Sequence, residues 1–367
     1  VDGDIAIPHD SLFQFVATAL TACGSASEQA QAVAQALVST SLRGVDSHGI
    51  RLLPHYLNAL KGGRINADPA LSAKRTAAGA AIVDADDGFG HFAGYRAIAE
   101  GCALASDAGI AGVGVINSSH FGAAGCYALE AADAGFLAFA FCNSDPFVLP
   151  HDARAPFHGT NPIAFAAPVV DDRPFLLDMA TSIVPWNRIK DYELKGMAVP
   201  EDVGVDANGL MTTDPAAIAA LLPFGGTQFG FKGAGLAAVM EVLSAALTGM
   251  GHCSQLLPMA GPDMSTPRRL GQYYIVINPD LFVPRRLYDA GIAAYLADLR
   301  ETRAKTGARV MAPGDREWAC LDIRTVDGIP LAPALFKEFK QIATDLGLDA
   351  ELLAPAWYHD DTLGGLR

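Results

Sequence analysis

Apolar residues recur at helical spacing from the beginning of the chain. Leu12, Phe13, Val16, Ala17 and Leu20 share one face behind Ile7-Pro8-His9-Asp10-Ser11, where a strand-like lead meets a helix capped by Asp10 or Ser11. A second helix restarts at Ser25 to Glu28, with Ala32, Val33, Ala36, Leu37 and Ser41 on one face. A third pattern over residues 52–60 is broken by Lys61-Gly62-Gly63-Arg64. After Leu71 the texture changes. Short apolar runs at 80–86, 112–116, 137–142, 162–168, 174–177 and 271–277 read as strands. Helices are predicted over 95–108, 124–134, 236–247, 285–305 and 332–346. Residues 186–215 read as a polar loop with a turn at Asp206-Ala207-Asn208-Gly209, and Pro313-Gly314-Asp315 as an extended piece. Strands interleaved with helices predict an α/β (α+β) fold behind a helical N-terminal part.

Composition narrows this picture. The 367 residues, 51% hydrophobic and 18% charged, describe a globular chain of more than one core, and 37 glycines imply tight turns and close backbone packing. A net charge of −14 argues against nucleic-acid binding, which needs phosphate-neutralising Lys and Arg. The six cysteines are scattered, with no CxxC pair and no metal-ligand spacing, so they read mostly as buried small hydrophobes. No charged-then-apolar leader opens the sequence and no apolar run reaches about 18 residues, so the expectation is a cytoplasmic protein with no membrane partner.

The chemistry concentrates in Arg43-Gly44-Val45-Asp46-Ser47-His48-Gly49-Ile50-Arg51, at the end of the second helix. His48 sits between two small residues, and an imidazole exchanges protons near neutrality. Alone it would be an ordinary surface histidine. A second cluster, Asn117-Ser118-Ser119-His120-Phe121-Gly122, follows an apolar strand, where α/β sheets assemble their ligand sites. Gly88-Phe89-Gly90-His91-Phe92-Ala93-Gly94 has the spacing GxGxxxG, not the dinucleotide fingerprint GxGxxG. Hydroxyls and a carboxylate recur in Gly159-Thr160-Asn161-Pro162 and Asp178-Met179-Ala180-Thr181-Ser182, and Lys232-Gly233 is placed at a helix start, where phosphate is favoured. No HExxH and no Gly-x-Ser-x-Gly is present, which leaves acid/base chemistry around histidine and no metal site.

Taken in order, these stretches resemble the type-2 malate/L-lactate dehydrogenase family, which includes ureidoglycolate, sulfolactate and diketogulonate oxidoreductases and cyclic-imine carboxylate reductases. The resemblance also covers Leu53-Pro54-His55-Tyr56, Gly62 to Asn66, Thr213-Asp214-Pro215 and Pro313-Gly314-Asp315. It implies an NAD- or NADP-dependent oxidoreductase acting on a small anionic 2-hydroxy/2-oxo or imino acid. The implied dinucleotide domain is non-Rossmann, with a mostly antiparallel sheet, and the implied assembly is a homodimer. By the same resemblance His48 is the proton donor/acceptor, with Ser47 beside it and His120 as a second active-site histidine. Ser144, Thr160, Asp178, Met179, Ala180, Thr181, Ser182, Lys232, Gly314, Asp315 and Arg316 fall on cofactor positions, and Arg43, Arg51 and Asn117 are candidates for the substrate. The implied division is a helical substrate domain over 1–75, a dinucleotide domain over 76–270, and a segment over 271–367 that returns to the first. Many members carry an arginine four residues after the catalytic histidine. Here that position is Leu52, with Arg51 one residue earlier. The substrate carboxylate then meets a shifted Arg51, or Arg43, Arg268 or Arg269, or the substrate lacks it. A non-redox acid/base enzyme on an acidic substrate, or a non-catalytic nucleotide or metabolite binder, would use the same scaffold.

Overall fold

A computed structural model of the chain describes residues 3–355. Its strands are β1 (Ile5–Ile7), β2 (Ser72–Ala77), β3 (Ala80–Asp84), β4 (Ile110–Ser118), β5 (Leu137–Cys142), β6 (Ile163–Ala167), β7 (Phe175–Met179), β8 (Gly204–Val205), β9 (Ala220–Leu221), β10 (Leu270–Ile277) and β11 (Ile329–Leu331). Its helices are α1 (His9–Ala22), α2 (Ser27–Leu42), α3 (Leu53–Lys61), α4 (Gly90–Ala108), α5 (Gly125–Asp133), α6 (Trp186–Leu194), α7 (Gly226–Glu241), α8 (Arg285–Glu301), α9 (Asp315–Asp327) and α10 (Pro333–Leu346).

Seven strands form one sheet in the order β2-β3-β4-β10-β5-β6-β7. Only β3 and β4 run parallel, joined by the crossover helix α4, and every other neighbouring pair is antiparallel. One face buries an alanine-rich set (Ala81, Ala111, Ala138, Ala140, Ala164 and Ala166) together with Val83, Val113, Tyr274 and Val276. Small side chains there let α4 and α5 lie close to the sheet. A Cβ at Gly101 would stand 2.6 Å from a Val276 methyl, and one at Gly94 would stand 2.6 Å from the Tyr127 ring. The helix therefore needs glycine to reach this depth.

A second core joins the two ends of the chain. Helices α1, α2, α3 and α10 bury Leu12, Phe15, Leu20, Val33, Leu37, Tyr56 and Phe339 around the two-stranded β1–β11 pair. A third, smaller core of Val148, Ile189, Val199, Val203, Ile218 and Leu221 carries α6 and the β8–β9 pair. Strand β10 lies in the middle of the large sheet, while α10 returns to the N-terminal helices.

Several local readings are corrected. Residues 186–215 are not all loop, because Trp186–Leu194 is α6, held by Ile189 in the third core. Helix α4 starts at Gly90, not at residue 95, since Ser119 Oγ accepts the Gly90 N–H at 2.9 Å and satisfies a free helix-end donor. Helix α7 starts at Gly226 rather than at 236. Close packing requires glycine at Gly233, where a Cβ would meet the Phe224 carbonyl at 2.3 Å. The extended reading of 313–315 gives way to α9, which begins directly after Gly314 at φ +100°. Strand β2 has no counterpart among the predicted strands, being an edge strand of exposed polar residues. Gly226–Ala246 is long and apolar enough to cross a membrane by length and composition alone, although Gln228, Lys232 and Glu241 interrupt it. In this fold that helix and the π turn Val242–Ala246 lie against β5 and β10, with Ala237 and Met240 buried.

The close approach of α4 makes a prediction. Gly101→Val should lower stability by about 1–3 kcal/mol through overpacking against Val276, read as a reduced urea midpoint with an unchanged m-value.

Candidate active site

The turn between α2 and α3 carries His48. Two short 3-10 turns, Asp46–His48 and Ile50–Leu52, meet at Gly49, whose Cβ would overlap Ser41 Oγ at 2.0 Å. Glycine is needed there because the Ser41 hydroxyl comes in to accept the Ile50 N–H at 3.0 Å. From the far end of the chain Arg324 of α9 grips Asp46 with two nitrogens at 2.6 and 2.9 Å, fixing the turn from outside. Ser47 Oγ lies 2.9 Å from His48 Nδ1.

His120, just past the end of β4, stacks on His48 with ring centroids 5.9 Å apart and planes 21° apart. Its Nδ1 stands 2.6 Å from Tyr56 Oη and also faces the Gly122 N–H at 3.4 Å. A backbone N–H can only donate, so Nδ1 is the acceptor of both bonds and the neutral ring carries its proton on Nε2. Among the described residues no protein hydrogen bond uses Nε2 of either histidine. Tyr56 is itself buried and meets His91 edge-on at 5.0 Å.

Burial dominates the electrostatics. It depresses the His48 pKa to about 4, assisted by the positive charge of Arg51. His120 is driven well below its ordinary value by burial, then by His48, His91, His55 and Arg268. Burial lowers His91 to about 3, and His55 to about 4 with help from Arg268 and Arg64. Arg268 is buried in an ion pair with Asp145, while its Nε donates to the Leu257 carbonyl at 2.7 Å. Four neutral imidazoles thus gather in a wall fronted by guanidiniums.

The predicted site residues fall into distinct groups. Ser47, His48 and His120 come together, Arg51 is near enough for its charge to act on His48 while pairing with Asp191 at 3.1 Å, and Leu52 packs against the helical core. The 3-10 turn at 50–52 therefore lays the leucine on the core and leaves the arginine partly exposed, paired with Asp191. Arg43 goes elsewhere: it is buried with Nη2 donating to Cys126 Sγ at 3.3 Å, beside a cavity of about 220 Å³ lined by α2, α5 and α9. Asn117 spends its amide on Asp84 at 3.0 Å. Arg269 is exposed and reaches Asp87 at 3.3 Å.

Ser144, Thr160 and Thr181 converge at the ends of β5 and β7. Ser144 Oγ is 3.2 Å from Thr160 Oγ1, and Thr181 Oγ1 donates to the Thr160 carbonyl at 3.1 Å. Ser182 donates to the Val184 carbonyl at 2.7 Å. Asp178 accepts the Gly125 N–H at the start of α5 at 2.9 Å, and burial raises its pKa to about 6 against the pull of that hydrogen bond and Arg43. Met179 and Ala180 continue from it at the end of β7. Gly314 lies along β7, since Leu176 donates to the Pro313 carbonyl at 3.2 Å. Asp315 is committed to Arg300 at 2.7 Å, and Arg316 is exposed. Lys232 is not at a helix start. It is the seventh residue of α7, exposed, with Nζ 5.3 Å from the Phe229 ring.

Other functional groups had no local signal. Tyr56 lies in a stretch already noted, but nothing nearby in sequence shows that it meets His120. Glu241 is buried and holds Asn143 at 3.1 Å, Asn161 at 2.8 Å and the Cys253 N–H at 2.7 Å, fixing the loops that carry Ser144 and Thr160. Asn187 and Asp191 on α6 reach the catalytic turn from 140 residues downstream.

A buried pair of histidines, each with a hydroxyl at Nδ1 and no protein partner at Nε2 among the described residues, is the candidate acid/base site beside a mostly antiparallel sheet. Residues 7–340 match the model of the malate/L-lactate dehydrogenase family. The malate dehydrogenase of Pyrococcus horikoshii is 34% identical over 352 residues, covering 94% of this chain and 96% of that protein. The ureidoglycolate dehydrogenase (NAD(+)) of Escherichia coli K12 is 33% identical over 332 residues, 90% of this chain and 94% of that one. The solved sulfolactate dehydrogenase of Methanocaldococcus jannaschii superposes with a TM-score of 0.87 at 30% identity, over 95% of this chain and 99% of the other. The chain belongs to the malate/L-lactate dehydrogenase family and is an oxidoreductase, a dehydrogenase of small acids.

The depressed histidine pKa values set a pH dependence of stability. Unfolding returns each ring to about 6.5, so the unfolded chain binds more protons between that value and the folded one. The stability is fully present above about pH 6.5 and falls with pH toward about 4 for His48 and His55 and about 3 for His91. Urea unfolding from pH 7 to 4 should show a continuous loss across this window, and a flat profile would contradict neutral buried rings.

Proposed function

We propose that the chain transfers hydride between a nicotinamide cofactor, NAD or NADP, and a small 2-hydroxy/2-oxo acid or related imino acid. The stacked His48–His120 pair with its two free Nε2 atoms carries this reading. When bound, the nicotinamide supplies the hydride chemistry. The chain's own groups handle the proton. His48, with its Nδ1 proton held on Ser47 Oγ, offers the Nε2 lone pair to the substrate hydroxyl in the oxidative direction, and returns the proton in reduction. His120 donates from Nε2 to the reacting oxygen, and Tyr56 keeps it in that tautomer. A positioned acid/base group of this type is worth about 10²–10⁴-fold.

Arg51, beside His48, is the anchor for the substrate carboxylate, with Arg268 adding a fixed positive field. An arriving carboxylate offsets the Arg51 charge that adds to the burial-driven lowering of His48, and so raises its basicity where the proton is to be taken. The hydroxyls of Ser144, Thr160 and Ser182, the carboxyl of Asp178 and the Gly314 turn fit a dinucleotide. Gly159 lets these groups converge, because a Cβ there would overlap Ser144 Oγ at 2.2 Å. On this reading the dinucleotide lies on a mostly antiparallel sheet, not a Rossmann one, and the N-terminal helices supply the substrate side. A second copy of the chain is the expected partner. Phe229, Phe231, Val239 and Val242 of α7 and its π turn are at least half exposed, more apolar surface than a free helix ordinarily presents.

Two measurements test this. His48→Ala should cut turnover of the preferred acid by roughly 10²–10⁴-fold while NADH or NADPH binding, followed by fluorescence, survives; full retention of activity would sink the assignment. Tyr56→Phe should reduce kcat more than KM and shift the kcat pH profile, because His120 loses the bond that fixes its tautomer. An unchanged profile would remove Tyr56 from the mechanism.

A further inference from the structure

Arg51 does not stand alone at the mouth of the site. Its Nη1 meets Asp191 Oδ1 at 3.1 Å, in a single-pronged pair whose side chains are 30% and 32% exposed. Four residues earlier, on the same face of α6, Asn187 donates from Nδ2 to the Ser47 carbonyl at 2.7 Å. These two contacts register α6 on the catalytic turn, so Asp191 is presented to the same space as Arg51. Among the described residues, the second Asp191 oxygen and the remaining N–H groups of Arg51 have no protein partner. The mouth therefore carries one open acceptor and several open donors, side by side.

That arrangement discriminates between acids. Apart from the hydroxyl that the histidines engage, a plain 2-hydroxy acid brings only an anion, which Arg51 attracts and the neighbouring Asp191 carboxylate repels. An acid that also carries an N–H group, as in an amide, a ureido group or an amine, satisfies both. Sites built to pair a hydrogen-bonding group reject analogues that lack it, because their own polar group is then left unpaired. We propose that Asp191 is a specificity-determining residue selecting acids with a nitrogen hydrogen-bond donor near the carboxylate. The inference rests on the dehydrogenase reading given above and narrows its substrate class.

The test compares paired 2-hydroxy or 2-oxo acids of equal length, one ending in an amide or ureido nitrogen and the other in hydrocarbon. Turnover is followed by nicotinamide absorbance. The wild-type chain should favour the nitrogen-bearing member by roughly tenfold in kcat/KM. Asp191→Ala should erase that preference, raising KM for the nitrogen-bearing acid and lowering it for the plain one. Asp191→Asn, which keeps an acceptor oxygen, should retain most of it. NADH titration shows that each variant is folded. An unchanged ratio in Asp191→Ala overturns the inference. So does an equal gain on both acids, which would make Asp191 a latch on Arg51, and so does an equal loss, which would put it in the chemical step. If the wild-type chain turns over no member of any pair, the dehydrogenase reading itself fails and this inference falls with it.

Discussion

Helix α3 is rooted in the helical core built from the two ends of the chain, and β4 belongs to the large sheet. The 2.6 Å hydrogen bond from Tyr56 to His120 is where these two bodies meet at the site. Both partners are held by packing that has nothing to do with catalysis. Tyr56 is wedged against Phe89 and His91, and His120 follows a strand whose register is fixed against β10. The bond therefore converts two independent pieces of packing into one distance. It decides which nitrogen of His120 is left over, and with the Gly122 N–H it leaves only Nε2 to face a ligand. Its partner His48 is located by a separate set of constraints: Ser41 beneath Gly49 and Arg324 on Asp46.

The second consequence of this packing is electrical. Rings buried this deeply near Arg268 and Arg51 stay neutral at ordinary pH, so the pair holds no imidazolium. A neutral imidazole can act either as a lone-pair acceptor or as an N–H donor, and the two hydroxyls at Nδ1 allow the pair to divide those roles. The same burial makes His48 a weak base in the absence of ligand. On the proposed reading an anionic substrate partly corrects this on arrival, since its charge offsets the Arg51 guanidinium that adds to the effect of burial. Coupling basicity to occupancy in this way also discourages protonation of the site before the acid is in place.

Much of this was legible in the sequence, for identifiable reasons. The amphipathic helices α1, α2 and α10 and the apolar strands β3 to β6 and β10 announce themselves because their burial follows their own period. The two histidine clusters stood out because small residues flank them. What failed to show depends on contacts distant in sequence. Helix α4 begins among glycines because Ser119, 29 residues on, supplies the missing acceptor. Helix α7 runs through four glycines, three of which are crowded by residues distant from them in sequence or by the turn before the helix: Asp202 at Gly226, Pro223 at Gly230 and Phe224 at Gly233. Arg43 looked like a site residue by proximity to His48, yet the end of α2 turns it toward Cys126. Adjacency in sequence does not survive a change of helix face.

The displaced arginine shows the same rule working in the opposite direction. By local pattern Arg51 sits one residue away from where the family's carboxylate anchor lies, and an ideal helix would turn it off the site. The chain breaks the helix instead: the 3-10 turn Ile50–Leu52 sends Ile50 and Leu53 into the core, lays Leu52 against it, and leaves Arg51 beside His48. A polar helix that reads as loop, held by a core of its own, then brings Asp191 to that arginine across 140 residues. The departure at 51–52 and the unrecognised helix at Trp186–Leu194 are thus two halves of one local arrangement. On the proposed reading a substrate meets both at once, so the choice of acid depends on a contact made by the fold and not by the motif alone.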